Sequence, residues 1–440
     1  MIGLLFFFVQ DSVSAQKVAY EIADSFRVMN EARAHIELLC SEDLHGRGYI
    51  EQGHEKAATY IGQVFAAYGL KGWRPDSVFP ANYFQPFSVQ LNLVENAEVS
   101  TASQRLRIGY DFIVDGLSAG GKGRAEVHDL GHGLPADFAA AKSKTKGKVL
   151  LMRAGLPPNA SGTPDELKLW ESNEHKLKLA REAKAAAVLF VVPRLMATYA
   201  ERDAGLPVLQ LADSSFRRLQ PRELEFEVAA KGRLLQTQNV VGWIEGRVRD
   251  TALVFCAHYD HLGRQGSAVF AGANDNGSGT AFLLSLAEYY SQNKPAYSLV
   301  FIAFGGEEAG LKGSMHYAFK QPFWPLERTK AVVNFDLLGN GQDGAMLVGG
   351  KTWPRWYDSF KTLNDSLNYV PRIDARPNAP NSDHYPFTLR NVPGLFFYTQ
   401  GGSIHYHDVH DLPREIELPV FFLFRELMIH WLKALPEQKL

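Results

Sequence analysis

Leu253-Val254-Phe255-Cys256-Ala257-His258-Tyr259-Asp260-His261 is the stretch on which the reading of this chain turns. An apolar run of strand length stops abruptly at an imidazole, and a carboxylate follows two residues later. Short apolar runs rich in β-branched and aromatic residues predict buried strands. Ligands of open α/β sheets bind in the crevice outside the carboxyl ends of the strands. A histidine and an aspartate at such an end are therefore candidates for chemistry.

The pattern recurs downstream. Gly272-Ala273-Asn274-Asp275-Asn276-Gly277 leads directly into an apolar helix. Leu299–Phe304 ends in Gly305-Gly306-Glu307-Glu308-Ala309, and Ala331–Phe335 ends in Asp336. Ile404-His405-Tyr406-His407 follows the turn Gly401-Gly402-Ser403. The Asp275 loop resembles a phosphate cradle at a helix N-terminus. It has no lysine after its last glycine, however, and Asp275 would repel a phosphate. Carboxylate presentation is the better reading.

The residue types argue for metal. Imidazoles and carboxylates without cysteine suit catalytic zinc with an open water position, whereas magnesium prefers carboxylates and waters. Two histidines and three carboxylates suit two metals about 3.5–4 Å apart with one bridging carboxylate. Adjacent Glu307 and Glu308 can divide the work, Glu308 as ligand and Glu307 as proton acceptor. Asp260 is placed to orient His258 through its second ring nitrogen. Spacing does not choose among His405, His407 and His410.

Working outward, strand and helix signals alternate from about Asn239 to the end, with helices expected over Gly279–Ser291, Leu311–Phe319, Trp356–Leu367 and Leu418–Leu435. Alternation of this kind predicts an α/β fold with a mostly parallel sheet flanked by helices. Helices are also expected over Lys17–Leu39 and Gly53–Tyr68, and β-structure over Tyr83–Val99. Residues 105–236 read as a small β-rich domain inserted into residues 16–104 and 237–440, with short strands and one charged helix over Asp165–Ala185. Its histidines, His128, His132 and His175, are scattered and show no ligand spacing.

With all five motifs in order over roughly residues 239–435, and a weaker match at Gly46-Arg47-Gly48-Tyr49, the chain resembles the co-catalytic di-zinc exopeptidases. These include bacterial leucyl aminopeptidases, glutamate carboxypeptidases and glutaminyl cyclases. The resemblance implies the zinc aminopeptidase-like fold of that family, two zinc ions, and a peptide substrate. It places His258 and Asp336 on one zinc, Glu308 and His407 on the other, and Asp275 between them. Glu307 becomes the general base, Asp260 the orienter of His258, and Tyr406 a donor to the oxyanion. It also implies a cis Asp275-Asn276 peptide and a supporting role for Ser382-Asp383-His384. Residues 105–236 resemble a protease-associated insert. Aminopeptidase action is the leading expectation; glutaminyl cyclisation, carboxypeptidase action and peptide binding without catalysis are the alternatives.

Composition sets the remaining bounds. With 46% hydrophobic and 21% charged residues and a formal net charge of -2, the chain lacks the basic excess of a nucleic-acid binder. No apolar run reaches the roughly 18 residues expected of a membrane-spanning helix. The apolar run Ile2–Val9 followed by Val13-Ser14-Ala15 resembles an export signal over residues 1–15. An exported protein is the expectation. The two cysteines, Cys40 and Cys256, do not form a disulfide framework, and Cys256 reads as a buried structural thiol. Oligomeric state leaves no mark in the sequence.

Overall fold

A computed structural model describes residues 23–74 and 76–436. The expected export signal therefore lies outside the described residues. Four parallel strands form the heart of the main sheet, in the spatial order Gly394–Gln400, Thr329–Phe335, Val248–His258, Tyr297–Phe304. Their faces are largely buried, every residue of Tyr297–Phe304 included, as expected of strands covered on both sides. The pairings that flank these four are antiparallel: Gly344–Val348 pairs with Gly394–Gln400, and Glu223–Ile244 pairs with Tyr297–Phe304. The sheet is thus mixed, with the expected parallel arrangement confined to its centre and to the outermost pair of Gly344–Val348 with Ile373–Arg376.

One face carries helix 23–39 and helices Gly53–Ala67, Gly279–Gln292, Pro354–Leu367 and Phe421–Ala434 around a single aromatic-rich core. Phe282 is its hub, its ring touching those of Phe335, Phe421 and Phe424. The other face is thinner, and includes Tyr317 and Phe387 against Phe304. Cys256 is fully buried there, its thiol 3.4 Å from Asn334 Oδ1.

The inserted region has its own strands, Val149–Arg153, Ala187–Val192 and Val208–Ala212 in parallel order, with apolar clusters on both sides. It is joined to the main sheet by an extended ribbon. Phe84–Ser100 pairs antiparallel with the 22-residue strand Glu223–Ile244, with a bulge between Val94 and Asn96. The expected junction at residues 236/237 lies within this uninterrupted strand. The expected helix over Asp165–Ala185 is two helices, Pro164–Glu171 and Asn173–Glu182. Ser172 breaks it, because its hydroxyl accepts the His175 amide as an N-cap and its backbone turns extended.

Candidate metal centre

Parallel pairing aligns the ends of the strands. Phe304 stands beside His258, and Asn334 beside Cys256, which sets Glu307, Glu308 and Asp336 around His258 at the point where strand order reverses. Helix Gly279–Gln292 begins at the same level, and its preceding loop delivers Asp275. The loop is fixed by its neighbours. Asp411 accepts the amides of Asn274 and Asp275 at 2.8 and 2.9 Å, and Asn276 donates to the Phe335 carbonyl at 3.0 Å. Gly272 has φ +62°, and a Cβ there would strike the Asp275 carbonyl and the His261 ring. The Asp275-Asn276 peptide is cis.

Asp275 sits between two imidazoles. Its Oδ1 lies 3.3 Å from His258 Nε2 and its Oδ2 lies 3.1 Å from His407 Nε2. His258 Nε2 is also 3.2 Å from Asp336 Oδ1, and His407 Nε2 is 3.2 Å from Glu308 Oε2. The other ring nitrogens are held by backbone carbonyls, His258 Nδ1 at 3.1 Å from Asp260 and His407 Nδ1 at 3.1 Å from Ala197. Ring nitrogens fixed on one side and aimed at carboxylates on the other are typical of metal-ligating histidines. Two groups of donor atoms within 4.8 Å of one another could each hold a metal ion: His258, Glu307 and Asp336, and His261, Asp275 and Glu308.

The charge balance favours a cation. Asp275, Glu308 and Asp336 are nearly buried, and among the described residues their ion-pair partners are histidines, with no lysine or arginine. Burial opposes ionisation of Asp275, but His258 and His407 hold its carboxyl well below the usual range. Burial likewise opposes Glu308, yet His407 and His261 hold it down at about 2. Glu307 goes the other way: burial, with Glu308, Asp383 and Asp336 nearby, raises it well above the ordinary range against the pull of His258. Neighbouring carboxyls pushed apart in this way mark one as a proton carrier and the other as a permanent anion.

Several positions differ from the sequence reading. The Asp260 carboxylate does not hold His258; its carbonyl does, while Oδ1 accepts the Glu307 amide at 3.1 Å. The strand end turns the Asp260 side chain towards the glutamate loop. His261 was passed over beside His258, yet its Nδ1 lies 2.7 Å from Glu308 Oε1. Of the three C-terminal histidines, His407 alone faces Asp275; His405 pairs with Asp408, and His410 packs on Tyr110 and His405. Tyr406 stacks on the His407 ring at 3.9 Å and remains 37% exposed.

Ser382 donates to Asp336 Oδ2 at 2.8 Å and accepts from Asn334 Nδ2 at 2.7 Å, while His384 packs on Phe396. Burial pushes the Asp260 and Asp383 carboxyls up to about 7, with His258 pulling the other way. Arg47 is fully buried and ties the site together through carbonyls: Tyr259 at 2.8 Å, Leu39 at 2.9 Å, Ala271 at 2.6 Å and Gly272 at 2.8 Å. His128, His132 and His175 are half-buried in the insert and join neither donor group.

Residues 239–432 match the family described as Peptidase family M28. Aminopeptidase YwaD of Bacillus subtilis (strain 168) is 28% identical over 288 residues, covering 62% of this chain and 57% of that protein. An aminopeptidase of Pseudomonas aeruginosa is 30% identical over 161 residues, covering 36% and 27%. The matches thus span about half or less of these curated relatives. The solved structure of BSAP, a zinc aminopeptidase from Bacillus subtilis, superposes with a TM-score of 0.69 over 93% of this chain and 97% of that one, at 21% identity. A peptidase M28 precursor from Shewanella amazonensis gives 0.67 over 96% and 98%, at 15% identity. The chain therefore has the M28 zinc aminopeptidase-like fold, with two candidate metal positions at the ends of its central strands.

Proposed function

We propose that the chain is a di-zinc aminopeptidase that hydrolyses the N-terminal peptide bond of peptides. One observation carries the reading: a single carboxylate, Asp275, presents one oxygen to each of two imidazoles whose remaining nitrogens are already occupied. In this reading His258 and Asp336 hold one zinc, Glu308 and His407 the other, and Asp275 lies between. Zinc bound there would lower the pKa of water from about 15.7 towards about 7 and polarise the substrate carbonyl.

The protein side chains supply the rest. Glu307 takes a proton from the attacking water and gives it to the departing amine. Asp260 holds the Glu307 amide and so fixes the base relative to the strand end. Tyr406 donates its hydroxyl to the oxygen that becomes negative as the carbonyl is attacked. His261 holds Glu308 Oε1, which leaves Oε2 turned towards His407. Support for N-terminal rather than C-terminal cleavage comes from the relatives, which are aminopeptidases by name.

The test is Glu307→Gln. Turnover of aminoacyl substrates is expected to fall by about 10²–10⁴-fold, the usual worth of a general base. Metal analysis should still find two zinc ions per chain. Wild-type activity in this variant would remove Glu307 from the reaction. Ammonia release from a glutaminyl peptide without loss of the residue would overturn hydrolysis itself.

A further inference from the structure

One loop of the insert reaches His407 itself. Between strands Ala187–Val192 and Val208–Ala212 the chain leaves the insert and crosses the loops that carry His407 and His261. Ala197 bonds to His407 twice: its amide donates to the His407 carbonyl at 3.0 Å, and its carbonyl lies 3.1 Å from His407 Nδ1. His407 itself has φ 55°, a conformation that costs a non-glycine residue energy and persists only where the surroundings enforce it.

The loop is anchored on both sides of Ala197. Arg194 pairs with Asp408 at 3.2 Å. Leu195 and Ala197 are buried with Leu262, Phe270 and Val409 of the catalytic loops. The half-buried Tyr199 ring packs edge-on to Tyr49, and the Ala200 carbonyl accepts the Asn92 amide at 2.7 Å. Glu201 pairs with Lys312 of the helix that follows Glu308.

We propose that the insert is a working part of the metal centre: its loop 194–201 sets the tautomer and direction of His407 through Ala197, and retention of the metal at the Glu308/His407 position depends on it. Ala197 is a positioning residue in this scheme. A backbone carbonyl on Nδ1 places the proton there and leaves the Nε2 lone pair for the metal. The inference rests on His407 being a ligand, and the experiment separates the two claims.

Zinc content is measured on the full chain across a series of buffered chelator concentrations. Wild type is expected to hold two ions and His407→Ala to lose one readily. Ala197→Pro removes the amide that donates to His407. It should release one ion about 10–100-fold more easily, the usual effect of removing a partner that orients a ligand. Ala197→Gly keeps both backbone groups and should behave as wild type.

In a His407→Ala background, Ala197→Pro should cause no further loss, because its effect passes through His407. If Ala197→Pro does not fold, the pair Arg194→Ala, Leu195→Ala releases the same anchor and is judged by the same criteria. Wild-type retention in the proline variant (or in the pair), or additive loss with His407→Ala, overturns the positioning role. Two ions retained by His407→Ala overturns the ligand assignment and the inference with it.

Discussion

Asp275 has no side-chain oxygen to spare, since each faces a different imidazole. Without metal, protons must balance the carboxylates around it. Burial opposes a charged His407, but Glu308 and Asp275 hold its pKa up at about 11, and Asp336 and Glu307 similarly raise His258. A folded-state value above the ordinary 6.5 contributes stability that is complete below pH 6.5 and is lost as pH rises towards 11. Chelated protein should therefore show a falling melting temperature across that window, while zinc-loaded protein should not follow it. Parallel curves for the two forms would contradict this account. Removing the groups that steer the carboxylates should act on metal binding directly. Asp411→Ala, which frees two loop amides, and Ser382→Ala, which releases Asp336 Oδ2, should each weaken zinc retention by about 10–100-fold.

His258, the Glu307-Glu308 pair and Asp336 stood out at this scale because each follows an apolar run at the end of a strand, whereas Asp275 and His407 lie in loops. His261 and Asp411 did not stand out, since neither stands at a spacing that distinguishes it from a surface residue. The Asp260 side chain was misdirected because sequence gives a residue's position along a strand, not the torsion of the turn beyond it. Spacing left His407 level with His405 and His410; the family resemblance alone singled it out, and in the fold it is His407 that faces Asp275.

Among the elements, helix Lys312–Phe319 shows how closely the glutamates are held. A Cβ on Gly313 would strike the Gly305 carbonyl and the Asn239 side chain, which itself receives the Gly305 amide. Alanine is the better helix former by about 1 kcal/mol, yet Gly313→Ala must move the helix away from the strand end that leads to Glu307. A displacement of ~1 Å can cost about 10²-fold in rate, so turnover should drop while secondary structure persists by circular dichroism. Unchanged turnover would show that the glutamate loop absorbs the shift. The buried strands and the amphipathic helices were legible from periodicity. The short strands Gly344–Val348 and Ile373–Arg376 were not, being four or five residues long and, in the second case, charged and half-exposed. The missed break at Ser172 has a local cause: a capping hydroxyl inside a run of helix-forming residues.

For the molecule as a whole, the ribbon of Phe84–Ser100 and Glu223–Ile244 makes the sheet of the insert continuous with the main sheet. Side-chain locks reinforce it, including Gln265, which exchanges two 2.9 Å hydrogen bonds with the Val114 backbone. Separate apolar clusters would by themselves suggest separate melting. The shared strand and these locks predict the opposite, one cooperative calorimetric transition. Two resolved transitions, one abolished by destabilising Leu177→Ala inside the insert, would show that the ribbon does not couple the halves. The short strands between residues 105 and 236 were legible from their apolar runs, but the single strand Glu223–Ile244 runs on from one core to the other without a break that would mark a boundary.

The Ala197–His407 pairing also bears on modularity. An accessory region threaded on two strands looks easy to excise by resealing the hairpin where the ribbon begins. Such a shortened chain would inherit every residue of the candidate metal centre, yet His407 would lose the partner of its Nδ1 and the amide that holds its carbonyl. A shortened version needs a replacement acceptor built into the new turn. Transplanting the insert between scaffolds is likewise constrained by the direction of one carbonyl group.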